Sequence, residues 1–295
     1  MGSAMAIRLL AAGHPVVAYN RTASKLDPLV AAGASRAHSI SDLRDLEVVF
    51  TTVASSEDLL EVTAGEGGLL TGDTVPRIIV DASTVSPEAS AECRAKAAER
   101  GCELLAAPVS GNPKVAAAGR LTFAVSGSRS AFEEVEHYFE AIGAGATFVG
   151  AGELARLVKL CHNLFLGATI QSLVESTLLA EKGGVAREDF LGYMNRSVLG
   201  STFSAYKTPA LVNLEFHPTF TSKLLRKDFD LGLSAARDLE VPMPVAAVVA
   251  QIIATLVGAG YGDDDFAALI ALQAEPAGID LKSEHASVSD GLDDA

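Results

Sequence analysis

At 295 residues, 49% of them hydrophobic, the chain is long enough for two domains and can bury a proper core. A formal charge of -14, with no cluster of Lys and Arg to bind phosphates, argues against a nucleic-acid partner. The three cysteines, Cys93, Cys102 and Cys161, form neither a close pair of the kind zinc takes nor an even disulfide framework, so they read as buried small hydrophobes and no metal site is expected.

In chain order, Met1-Gly2 runs straight into a helical pattern through Leu9, Leu10 and Gly13. Short β-rich runs then alternate with helical ones: strands are predicted at Pro15 to Tyr19, Glu47 to Val53, Arg77 to Asp81, Cys102 to Ala106, Leu121 to Val125 and Thr147 to Val149. Between them lie amphipathic helices, Pro87 to Arg100 and Ala131 to Ala141, each followed by a glycine suited to a left-handed cap. From Glu153 the pattern is helical throughout: Glu153 to Lys182, Arg187 to Asn195, Leu224 to Leu239, Pro244 to Gly258 and Asp264 to Leu272. The fold class is therefore α/β followed by all-α, a parallel sheet domain over 1–151 and a helical domain over 152–276. Residues 277–295 are acidic and without period, and are expected to be a disordered tail. Apolar runs are expected to stop at charges and glycines before about 18 residues, which argues against a membrane span. No leader pattern opens the chain, so a cytoplasmic location is expected.

Chemistry concentrates where strands end and where the helical half begins. Lys159 lies inside an apolar helical run and shares a face with Asn163 one turn later, so an amine and an amide can converge on one small ligand. Apolar neighbours penalise an ammonium and bring a lysine toward the range where it exchanges protons; a lysine snorkelling at a helix edge is the plainer alternative. Asn20-Arg21-Thr22 follows the first predicted strand. In a dinucleotide fold an Arg there accommodates the 2′-phosphate of NADP, and an ordinary turn is the other reading. Asp81-Ala82-Ser83-Thr84 leaves an apolar strand at the edge where open sheets bind ligands, so Ser83 or Thr84 is a cofactor contact or part of a helix entry that Ser86 caps. Pro108-Val109-Ser110-Gly111-Asn112 offers a hydroxyl and closely approachable amides to an anionic group, or is a plain turn. Lys227-Asp228 lies on a helix and by itself reads as an exposed pair. The glycine fingerprint GxGxxG that an α/β half calls for is absent; Met1-Gly2 and the helix behind it match only its end.

These ordered motifs, with Leu9-Leu10-Ala11-Ala12-Gly13-His14 and Gly150-Ala151-Gly152, resemble the β-hydroxyacid dehydrogenase family, which includes 3-hydroxyisobutyrate dehydrogenases, tartronate semialdehyde reductases and glyoxylate/succinic semialdehyde reductases. The resemblance covers about residues 1 to 275. It implies a Rossmann-type domain lacking its first strand, then a helical domain that often dimerises, hence a homodimer or homotetramer. It implies Lys159 as the catalytic lysine, Asn163 as a substrate partner, and Ser110, Gly111 and Asn112 as the substrate carboxylate loop. Gly2, Asn20, Arg21, Thr22, Thr84 and Lys227 are then the cofactor residues, with NADP as the preferred cofactor and NAD as the other candidate. The expected activity is hydride transfer between nicotinamide and a small β-hydroxy acid or its semialdehyde.

Departures from the family pattern are Ala106 for the usual Asp, Asn112 for the last Gly of the loop, and His162 where Asn is common. An absent central strand would leave its neighbours without backbone partners, at roughly 1–3 kcal/mol for each buried group. The reading of Met1-Gly2 is therefore that the true start lies upstream or that the chain binds cofactor poorly. Two other functions fit the pattern: an imine reductase, against which Lys159 argues, and a non-catalytic fragment that dimerises through its helical half.

Overall fold

The computed structural model describes residues 1–292 and divides into two compact units, Met1–Lys159 and Leu160–Ala295. In the first, helix α1 (Gly2–Ala11) leads to β1 (Val17–Ala18), α2 (Asp27–Ala31) and β2 (Ser35–Arg36). There follow β3 (Val48–Thr51), α3 (Ser56–Ala64), β4 (Ile78–Asp81), α4 (Pro87–Glu99) and β5 (Glu103–Ala106). The unit continues with β6 (Val109–Ser110), α5 (Pro113–Ala117), β7 (Thr122–Ser126), α6 (Arg129–Ile142) and β8 (Ala146–Gly150).

The α/β alternation expected from sequence is present, and the sheet it builds is split. Strand β1 pairs in parallel with β2, as a sheet of its own. The larger sheet carries β3, β4 and β5 in parallel register, Thr51 opposite Asp81 and Asp81 opposite Ala106. It is not wholly parallel as expected: β7 runs antiparallel to β5 and β6 and parallel to β8. The short link from β6 through α5 returns the chain at the same edge, too short a path for the crossover that a parallel pair needs. Strand β4 is buried along its whole length, which suits its Ile78-Ile79-Val80 run. Below the sheet Leu59, Leu69, Cys93, Ala97 and Leu104 form one core.

Helix starts follow local chemistry. Ser55 and Ser86 accept N–H bonds at the starts of α3 and α4, with Pro87 at the first helical position of α4. Asn112 does the same for α5, its Oδ1 accepting from Lys114 and Val115.

Helix α7 (Leu154–Lys182) leads from the first unit into the second, which holds α8 (Arg187–Arg196), α9 (Thr202–Asn213), α10 (Ser222–Asp238), α11 (Pro244–Leu256) and α12 (Leu269–Ala274). Its core gathers Ile170, Val174, Leu225, Phe229, Ile253 and Phe266. Three sequence expectations change here. Helix α7, and α11 counted through Tyr261, reach the length and mean hydropathy of a membrane span, 1.3 and 1.7. Cys161 is exposed, unlike buried Cys93 and Cys102, because its face of α7 also carries exposed Phe165 one turn on. Residues 277–292, expected to be disordered, lie along the unit. The Glu284 carboxylate accepts from the Arg187 and Glu188 amides at the start of α8, Asn213 bonds both ways with Ala286, and Ile279, Leu281 and Val288 pack on the core. Residues 293–295 of the expected tail lie outside the described residues.

Candidate active site

In the first unit the candidate residues gather at the carboxyl ends of β1, β3 and β4, the edge where open α/β sheets bind ligands. Arg21 stands just past β1 with its side chain 85% exposed and Asp58 at 3.8 Å. Asn20 Oδ1 accepts the Thr22 N–H at 2.9 Å, an Asx turn that fixes the approach to Arg21. Gly2 opens α1 and packs so closely on the loop after β3 that a Cβ there would lie 2.5 Å from Thr52 Oγ1. The first-turn amides of α1 carry no side-chain cap, and such a helix start is suited to a phosphate. The same β3 loop meets the β4 loop, where Val53 N–H donates to Ser83 Oγ at 2.8 Å. Gly2, Thr52, Val53 and Ser83 thus form one continuous rim, with Thr84 next in the chain.

Ser83 itself is buried and engaged, its hydroxyl donating to Asp81 at 2.7 Å, which leaves Thr84 as the cofactor candidate of that pair. Ser110 ends β6, and Gly111 follows in the left-handed region at φ +130 with room for no side chain: a Cβ would sit 2.5 Å from Leu121 Cδ2. The Asn112 side chain is buried and its Oδ1 caps α5, a structural use alongside the substrate contact expected of it. The sequence signal was available, because Asn before Pro113 is an N-cap pattern.

Lys159 is half-buried on α7, one turn after Arg156. Arg156 is 1% exposed and ion-paired at 2.5 Å with Asp81, which is 0% exposed at the end of β4. Neither was singled out from sequence, and both carry a legible trace, a charge in an apolar run.

In the second unit Asn163, Lys227 and Asp228 come together. Asn163 Nδ2 donates to Asp228 Oδ2 at 2.5 Å, while Lys227 Nζ lies 3.4 Å from Asp228 Oδ1. His162 Nδ1 is 2.8 Å from Asn163 Oδ1. Because the Asp228 carboxylate takes the Asn163 amide protons, the Asn163 oxygen is left as acceptor, and the His162 Nδ1 carries the hydrogen. Asp228, read from sequence as half of an exposed pair, is buried. It shares the inward face of α10 with Leu225, Phe229 and Gly232, a periodicity that the sequence already displayed.

The model for the NAD binding domain of 6-phosphogluconate dehydrogenase matches residues 1–150, and that for the NAD-binding domain of NADP-dependent 3-hydroxyisobutyrate dehydrogenase matches residues 150–273. The chain belongs to the β-hydroxyacid dehydrogenase family. Within it, 2-(hydroxymethyl)glutarate dehydrogenase of Eubacterium barkeri is 31% identical over 95% of this chain and 94% of its own length. Glyoxylate/succinic semialdehyde reductase 2 of Arabidopsis thaliana is 29% identical over 92% of this chain and 76% of its own. The solved structure of Psf3 with NADP+ and 2-OPP matches at TM-score 0.82 and 26% identity, covering 92% of this chain and 96% of that one. The chain is accordingly an NAD(P)-dependent oxidoreductase with the two-part fold expected from its sequence. The residues present fit that cofactor: the exposed Arg21 guanidinium suits a ribose phosphate, and the uncapped start of α1 at Gly2 suits the pyrophosphate.

Proposed function

We propose that this chain reversibly oxidises a small β-hydroxy acid to its semialdehyde, prefers NADP, and uses Lys159 as the general acid/base. The observation that carries the assignment of Lys159 is its place on α7, one turn beyond Arg156, whose guanidinium is held by Asp81 at the ligand-binding edge of the sheet. The nicotinamide, when bound, supplies the hydride acceptor or donor. Neutral Lys159 takes the hydroxyl proton during oxidation, and its ammonium form returns a proton to the alkoxide during reduction. Ser110 and the Gly111 amide receive the carboxylate. Asn163, oriented by Asp228, receives the hydroxyl, and Lys227 contacts the cofactor.

Arg21 supports the NADP preference, because its guanidinium is exposed beside a turn that brings no carboxylate of its own. A cytoplasmic location and a homodimer or homotetramer are part of the same reading, the assembly supported by exposed Val245 and Val248 on α11; light scattering tests the assembly. The function is tested by assaying oxidation of 3-hydroxyisobutyrate and L-serine, and reduction of succinic semialdehyde, for the parent and Lys159→Ala. The variant should lose roughly 10²–10⁴-fold in turnover and bind NADPH as the parent does. Turnover within threefold of the parent rejects the lysine assignment.

A further inference from the structure

The most heavily bonded charged group of the first unit is one that the chemistry above does not use. Asp81 lies at the end of β4 and receives Thr51 Oγ1 at 2.7 Å, Ser83 Oγ at 2.7 Å, Ser83 N–H at 3.4 Å and Arg156 Nη2 at 2.5 Å. Arg156 spends its other donors on the Ser83 carbonyl at 2.6 Å and Ser90 Oγ at 3.1 Å. The start of α7 is fastened a second time nearby. Arg94 donates to Glu153 at 2.7 Å and to the Gly152 carbonyl at 2.9 Å, while Ser126 Oγ bridges the Gly152 carbonyl and the Ala155 N–H.

A buried ion pair is weak evidence for stability, since an apolar pair of similar volume often serves as well or better. What this pair does uniquely is geometric. Through Ser83 it joins two loops of the ligand edge, because Ser83 Oγ also receives the Val53 N–H, and through Arg156 it joins those loops to the helix turn that carries Lys159. A guanidinium with three acceptors in fixed directions sets both the height and the rotation of a helix, which a single contact does not.

We propose that Asp81 and Arg156 are positioning residues that hold Lys159 in register with the loop Ser83-Thr84, so that the proton-transfer group and the cofactor-side loop keep one fixed geometry. The inference rests on the reading of Lys159 as the acid/base. Misplacement of such a group by about 1 Å is enough to cost on the order of 10²-fold.

The test uses two variants of the full chain. Asp81→Asn/Arg156→Met removes both charges together and leaves no buried ion alone, and Arg156→Lys keeps the charge but gives up the fork. Each is measured for thermal midpoint by circular dichroism, NADPH Kd by nicotinamide fluorescence, and kcat, KM and the pH dependence of kcat with succinic semialdehyde. Positioning predicts a folded protein with NADPH Kd within about threefold of the parent, kcat at least 10-fold lower, and a displaced pH profile. A folded variant with kcat within twofold of the parent overturns it. So does a loss confined to the midpoint or to NADPH Kd, which makes the pair structural only. If the double variant does not fold, Arg156→Lys decides by the same criteria. Lys159→Ala in parallel separates the two readings: parent-like turnover there removes the acid/base role itself, whereas a dead Lys159→Ala beside an active Asp81→Asn/Arg156→Met rejects the positioning role alone.

Discussion

Lys207→Met probes the second unit through its most enclosed charge pair. Lys207 Nζ lies 2.6 Å from Asp265 Oδ1, with both side chains 3% exposed. It also donates to Thr219 Oγ1 at 3.2 Å and stands 4.0 Å from the centroid of the Phe266 ring. Asp265 accepts further from the N–H groups of Thr219, Phe220 and Ala267 and from the Thr219 hydroxyl. Burial pushes the Asp265 carboxyl up, but the Lys207 charge and these donors outweigh it and hold the group below the usual carboxylate range. Methionine fills nearly the same volume and removes only the ammonium, so the loss is that of a buried carboxylate deprived of its counter-charge, about 3–5 kcal/mol. For a unit of this size each kcal/mol moves a thermal midpoint by roughly 2–8 °C, so the midpoint should fall by about 6 °C or more. Urea titration at pH 7 measures the free energy directly.

The pH dependence adds a sign. In the parent the Asp265 pKa is depressed, so its stabilisation is present above the unfolded value of about 3.9 and is lost as pH falls through the folded value. Without the ammonium the folded pKa rises, and the folded variant takes up its proton at higher pH than the parent does. The gap between parent and variant should therefore narrow as pH drops from 7 toward 4. A gap below about 1 kcal/mol at pH 7, or one that widens in acid, refutes the argument.

Arg21→Asp should erode or reverse the preference for NADPH over NADH in paired fluorescence titrations, and equal affinities in the parent count against Arg21 as the phosphate ligand. Gly167→Ala would place a Cβ 2.3 Å from Phe229 Cε2 in the helical core, so it should cost about 1–3 kcal/mol in a urea melt; a neutral outcome means that α7 and α10 part easily. Asn112→Ala removes the cap of α5 and should cost about 1 kcal/mol of stability with KM for succinic semialdehyde nearly unchanged, whereas a large KM effect returns Asn112 to the substrate.

Much of this was legible because period and punctuation are local. Strand β4 was visible as an apolar run ending in Asp81, and α4 as Ser86-Pro87 opening an amphipathic pattern closed by Gly101. Helix α9 was not, because Pro209 inside it reads as a breaker while the Ser201–Ser204 capping box is easily taken for a turn. The direction of β7 escaped for a different reason: a strand's own sequence does not say which neighbour it will meet. At the site, single residues such as Arg21 and Lys159 stood out by their type and place. Their support did not, since the Asp81–Arg156 pair spans 75 positions and the Asn163–Asp228 bond spans 65, distances over which no periodicity carries information. The packed stretch 277–292 was missed for that reason too, its acids being composed like solvent-loving chain yet one of them meeting a helix start.

That last contact bears on the order in which the molecule is made. Helix α8 begins at Arg187, but two amides of its first turn wait for the carboxylate of Glu284, 97 and 96 residues later. During synthesis at roughly 5–20 residues per second, the start of α8 stays open for several seconds after α8 itself has emerged. Those two amides of α8 therefore stay open to water until the distal stretch arrives to accept them.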